Sequence, residues 1–85
     1  MYEVIFDSEV FDALNKLQKI EKERIFKKII DSKENPFHFF ERLSGRKDYK
    51  LRVGEFRVIA DIDANKKVIQ VNLVGHRKNI YKNLD

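Results

Sequence analysis

Eighty-five residues leave room for one domain, residues 1–85, and a composition of 42% hydrophobic and 12% aromatic residues can fill one small core. No cysteine is present, which excludes a disulfide frame, a thiolate metal site and a cysteine nucleophile. The net charge of +4 is uneven: residues 1–41 carry seven Lys/Arg and nine Asp/Glu, whereas residues 42–85 carry eleven and five. The basic half points to a polyanion or an acidic partner, although basic surfaces also serve solubility alone.

Residues 2–6 are β-branched and aromatic and predict a first strand, with Asp7 and Ser8 as helix N-cap residues behind it. Val10, Phe11, Leu14 and Leu17 then recur at helical spacing. Residues 20–23 are expected to turn the chain into a second helix, on which Ile25, Phe26, Ile29 and Ile30 form one apolar stripe. Asn35-Pro36 stops that helix, because the residue before proline disfavours the α region. The pair reads as an αα-hairpin laid on a sheet. The aromatic run Phe37-His38-Phe39-Phe40 is expected to plug the space between helices and sheet, with His38 packed or at the surface rather than catalytic.

From Tyr49 the period changes to two. Gly54-Glu55 suits a two-residue hairpin loop with glycine first, as a type II′ turn prefers. Val53 then pairs with Phe56, Arg52 with Arg57 and Leu51 with Val58. Tyr49, Leu51, Val53, Phe56, Val58, Ala60 and Ile62 share the buried face, and a one-residue slip would bury two arginines instead. Residues 63–66 form a second turn. In the last strand, residues 68–74, Ile69, Val71 and Leu73 are placed on the core face. This sets Ile62 near Ile69, Val58 near Leu73 and Arg57 near Val74. Residues 76–84 form a short tail or helix. The fold class is therefore α+β: an N-terminal strand, an αα-hairpin and an antiparallel β-meander in a four-stranded sheet.

The open face of that sheet gathers Lys50, Arg52, Arg57, Arg77 and Tyr81 at one end. Arg52 facing Arg57 is a like-charge pair that costs stability unless an anion, or a carboxylate such as Asp48, Glu55 or Asp61, offsets it. Arg57 is read as an exposed charge whose removal leaves the fold intact. No HExxH, paired-aspartate or phosphate-loop spacing is present, so no metal and no cofactor is assigned. A basic, aromatic site can cleave RNA without metal, by attack of the 2′-hydroxyl on the adjacent phosphate while cations stabilise the transition state. Lys50, flanked by Arg52 and Arg57, is the candidate for a pKa lowered by like charges.

The stretches YKLRVGEFRVI (residues 49–59) and VGHRKNIY (residues 74–81), with Leu43-Ser44-Gly45 before them, resemble the RelE toxin family of the RelE/ParE superfamily. The resemblance covers nearly the whole chain. It implies a toxin that enters the ribosomal A site and cuts mRNA there as a metal-independent endoribonuclease. It further implies a RelB-type antitoxin, with the ribosome and mRNA as other partners. By matching position it implies a basic active-site role for Lys50 and a phosphate-stabilising role for Arg57. It likewise makes Arg77 a leaving-group acid and Tyr81 the ring that stacks on or orients the nucleotide. Arg46, Lys47, Arg52 and Lys78 are the implied RNA contacts. Where the family pattern has a second lysine two positions before Lys50, this chain has Asp48. No apolar run approaches the ~20 residues of a membrane span and no leader opens the chain, so the expected compartment is the cytoplasm. Two other readings stay open: a ParE-like protein that inhibits DNA gyrase by binding, and a catalytically silent RNA- or protein-binding module.

Overall fold

A computed structural model describes residues 1–84. In chain order the elements are β1 (Glu3–Phe6), α1 (Ser8–Asn15), α2 (Lys19–Asp31) and α3 (Pro36–Phe39). These are followed by β2 (Glu41–Arg42), β3 (Tyr49–Val53), β4 (Phe56–Asp63), β5 (Val68–His76) and a terminal 3₁₀ turn (Ile80–Leu84). The strands make one mixed sheet in the order β1-β5-β4-β3-β2. The expected meander is β3-β4-β5. Two features differ from expectation: β1 runs parallel to β5, and the two-residue β2 adds a fifth strand. Two residues are too few for periodicity to register, which is why β2 escapes a sequence pattern.

The second helix also starts earlier than predicted. Residues 20–23 belong to α2, and the chain turns instead just before Gln18. The reason is a capping box: Glu21 Oε1 accepts a bond from the Gln18 backbone N–H at 3.2 Å, satisfying a donor at the helix start. Asp7 occupies the N-cap of α1, but its side chain makes no capping bond there. Its Oδ1 accepts from Gln70 Nε2 at 2.6 Å and so ties the β1–α1 junction to β5. Residues 36–39 form a short helix with proline in its first turn, where the missing N–H costs nothing. Phe40 is buried and Phe39 packs on the core, but Phe37 and His38 stay exposed, so only half of the aromatic run plugs the interior.

Val10 and Leu14 of α1 and Ile25 and Ile29 of α2 lie against Leu51, Val53, Val58, Ala60, Ile69, Val71 and Val74 of the sheet. Each such side chain removed from water contributes roughly 1.5–3 kcal/mol. The hairpin register is as expected, with Val53 opposite Phe56, Arg52 opposite Arg57 and Leu51 opposite Val58. Gly54 has φ +57, the left-handed value that a type II′ turn needs at its first central residue.

In the β4–β5 ladder the register shifts between Ile59 and Ala60. Ala60 pairs with Val71 but Ile59 pairs with Leu73, which leaves Asn72 as an extra residue. Val58 therefore meets Val74 rather than Leu73, and Arg57 meets Gly75 rather than Val74. Val74, not Leu73, enters the core. Beyond the bulge, Gly75 lies under Ile80 of the terminal turn, and a Cβ there would sit 3.6 Å from the Ile80 Cβ. Ile59 and Ile80 are fully buried yet stand outside the main cluster. Ile59 alternates with the core residues Val58 and Ala60 and so stands on the sheet face away from the helices, and the packing of Ile80 on Gly75 pins the C-terminal segment to the sheet.

Candidate functional site

β3 and β4 present Lys50, Arg52 and Arg57 on the face opposite the core residues Leu51, Val53 and Val58, as period two requires. The terminal turn adds Tyr81, next to the Ile80 anchor. These four residues line one cleft of about 350 Å³, together with Lys28, Phe39 and Glu41. The cleft lies where β2 stops: Glu41 pairs with Lys50, and beyond that point no described strand pairs with the outer edge of β3. Among the described residues, Lys50 and Arg52 make no ion pair or side-chain hydrogen bond, so their donors are unspent.

Arg57 is not the exposed charge that period two suggests. Only 7% of its surface is accessible, and one guanidinium nitrogen donates to the carbonyls of Gly54 and Phe56 at 2.8 Å each. The hairpin loop thus holds the group, while the remaining guanidinium donors stay available to an acceptor in the cleft. Arg52, directly opposite, is exposed.

Arg77 does not line the cleft. Its Nε donates to Glu55 Oε2 at 2.6 Å, and its backbone N–H donates to the Glu55 carbonyl at 2.8 Å. The bond and charge of Arg77 hold the Glu55 carboxyl below its ordinary value, with smaller help from His76 and Arg57. Both arginines therefore act on one carboxylate at the hairpin tip, Arg77 by direct contact and Arg57 through space. Arg46 and Lys47 line a separate depression with residues 42–45. There Arg46 binds Asp48 at 2.8 Å, so the aspartate in the place of a second lysine serves the loop before β3. Lys78 is exposed in the turn after β5, its backbone N–H donating to His76 Nδ1 at 3.2 Å.

Three cleft residues escape sequence reading. Lys28 sits among other lysines on the polar side of α2, and nothing in a helical pattern sets it apart. Phe39 reads as one of four clustered aromatics. Glu41 is the one carboxylate among the seven lining residues, and its place opposite Lys50 depends on the unpredicted β2. Among the described residues no group of three or more His, Cys, Asp or Glu is placed to hold a metal ion, and no helix is long and apolar enough to cross a membrane.

Fold and cleft together define a small α+β protein that closes a cationic recess with one tyrosine on the uncovered side of its sheet. The family model described as the ParE toxin of type II toxin–antitoxin systems matches residues 4–81. The chain belongs to that family, in agreement with the RelE/ParE resemblance of its motifs. No curated protein sequence matches it. Among solved structures, the archaeal RelE–RelB complex from Pyrococcus horikoshii is 26% identical with a TM-score of 0.77, covering 89% of this chain and 94% of that one. The Escherichia coli RelBE complex is also 26% identical, with a TM-score of 0.74 and coverage of 89% and 96%. The RelBE2 complex of Mycobacterium tuberculosis, at 22% identity, shares the fold with a TM-score of 0.79, covering 89% and 98%.

Proposed function

We propose that this toxin is an endoribonuclease that cuts mRNA in the ribosomal A site and so inhibits translation. The observation that carries the reading is the convergence of Lys50, Arg52, Arg57 and Tyr81 on one cleft. Several cations around one ring suit a single nucleotide flanked by phosphates: the ring stacks on the base and the cations hold the phosphodiester.

In this mechanism Glu41 takes the proton of the 2′-hydroxyl, with Lys50 opposite it on the neighbouring strand. The 2′-oxygen attacks phosphorus, and the bond from phosphorus to the 5′-oxygen breaks. The products are a 2′,3′-cyclic phosphate and a 5′-hydroxyl, the latter completed by a proton from Arg77 or from water. Arg57, held by the hairpin carbonyls, meets the charge that builds on the phosphoryl oxygens, and a donor fixed in advance is most effective in this role. Arg77 reaches the leaving oxygen only after it parts from Glu55. Arg46, Lys47 and Lys78 lie outside the cleft and serve as outlying contacts to RNA.

A RelB-type antitoxin is the proposed partner, on the likeness to RelE chains solved in complex with RelB. The proposed compartment is the cytoplasm, where ribosomes and mRNA are found. Primer extension on mRNA during translation, with and without the protein, tests the function. Cuts positioned by codon support it. Intact mRNA accompanied by gyrase-linked DNA breaks would overturn it in favour of gyrase inhibition.

A further inference from the structure

We propose that the bound RNA strand continues past the open face and along the unpaired edge of β3, with a flanking phosphate held by Lys28 and Arg24 of α2. The inference rests on the ribonuclease reading and adds a second subsite to it. Lys28 and Phe39 line the catalytic cleft, and both also line a neighbouring cleft of about 270 Å³ with Arg24, Lys27, Asp31, Val53 and Gly54. The two recesses therefore adjoin at Lys28 and Phe39, beside the part of β3 that β2 leaves unpaired. Within the second recess the only carboxylate, Asp31, is taken by Lys27 at 3.2 Å. Arg24 and Lys28 have no anionic partner among the described residues. They are four residues apart on α2, hence side by side on one face. Lys28 is half-buried and lines both recesses, and a phosphate oxygen would supply the anionic partner it lacks among the described residues. Phe39 lines both recesses and adds an apolar ring to them.

The test is a cycle between protein and substrate on programmed ribosomes. The proteins are wild type, Lys28→Gln and Lys28→Arg. The mRNAs each carry one uncharged methylphosphonate at a different position flanking the cut. Lys28→Gln is expected to raise the protein concentration needed for half-maximal cutting about tenfold. Lys28→Arg restores it. At one flanking position the neutral linkage removes the difference between wild type and Lys28→Gln. If the two penalties simply add at every position, or if Lys28→Gln carries no penalty, the second subsite is wrong while the function stands. If the wild-type protein cuts no mRNA on ribosomes, the function itself falls and the subsite with it.

Discussion

Arg52 and Arg57 face each other across the β3–β4 hairpin, and neither guanidinium forms an ion pair among the described residues. The carboxylate that Arg57 influences is Glu55, and Glu55 is already bonded to Arg77. Two like charges held opposite one another store repulsion that an anion between them would relieve. The pair therefore yields a contrast between an exposed arginine and a buried one. Arg52→Ala is expected to leave thermal stability within about 0.5 kcal/mol of wild type while weakening RNA cutting. Arg57→Ala is expected to lower cutting by about 10²–10³ and also to destabilise the fold by about 1–3 kcal/mol, because two hairpin carbonyls lose their donor. Chemical denaturation beside a cutting assay separates the two effects. Equal stability losses for both variants would contradict the burial of Arg57.

Glu41→Gln tests the proton acceptor. An amide of the same shape keeps the volume and removes the base, so the variant should cut about 10²–10⁴ more slowly while its thermal stability stays within about 0.5 kcal/mol of wild type. A variant that cuts at the wild-type rate would return the role to Lys50.

Glu55 gives a separate acid dependence, one of structure rather than rate. Its carboxyl titrates below its ordinary 4.5 in the folded protein because Arg77 favours the charged form. The contact thus stabilises the fold above the unfolded-state value and ceases to do so as pH falls through the lowered one. Carboxyl chemical shifts followed by NMR should show the depressed midpoint, and Arg77→Ala should move it back up. If it does not move, the 2.6 Å contact with Arg77 is not what lowers the Glu55 carboxyl.

Ile80 links stability to the site. It is fully buried over Gly75, next in sequence to Tyr81. Ile80→Ala should cost about 2–5 kcal/mol if the surroundings cannot collapse. It should also raise hydrogen exchange in the terminal turn and weaken RNA cutting, since Tyr81 loses its anchor. A variant with native exchange and full cutting would show that the tail is held by other contacts.

Lys67 is the one non-glycine residue at positive φ among those described, at +56, in the turn between β4 and β5. Asp63 Oδ1 accepts the N–H groups of Asn65 and Lys66 there and fixes the bend. Lys67→Gly should stabilise by about 1 kcal/mol, because a left-handed backbone costs a side-chain-bearing residue about that much. A lower melting temperature would argue against that backbone.

What the sequence made legible was whatever repeats with a regular period. The hairpin register followed from alternating residues and one glycine turn, and the placement of Lys50, Arg52 and Arg57 on one face followed from the register. The apolar spacing of Val10, Leu14, Ile25 and Ile29 likewise marked the helix faces that reach the core. The parallel pairing of β1 with β5 was not legible, because alternation describes a strand and not its neighbour. Glu41 and Lys28 join the cleft through contacts distant in sequence, and no local spacing encodes them. Arg57 was read correctly for face and wrongly for exposure, since the carbonyls that enclose it belong to the backbone of its own turn.

The single surplus residue at Asn72 has a consequence for the parity of β5. A strand of strict alternation would point position 75 toward the helices. With one residue out of step, Gly75 opens outward and gives Ile80 a seat on the far side, so the tail crosses to the surface that carries the cations. Deleting that residue should send the C-terminus, and Tyr81 with it, to the wrong half of the molecule.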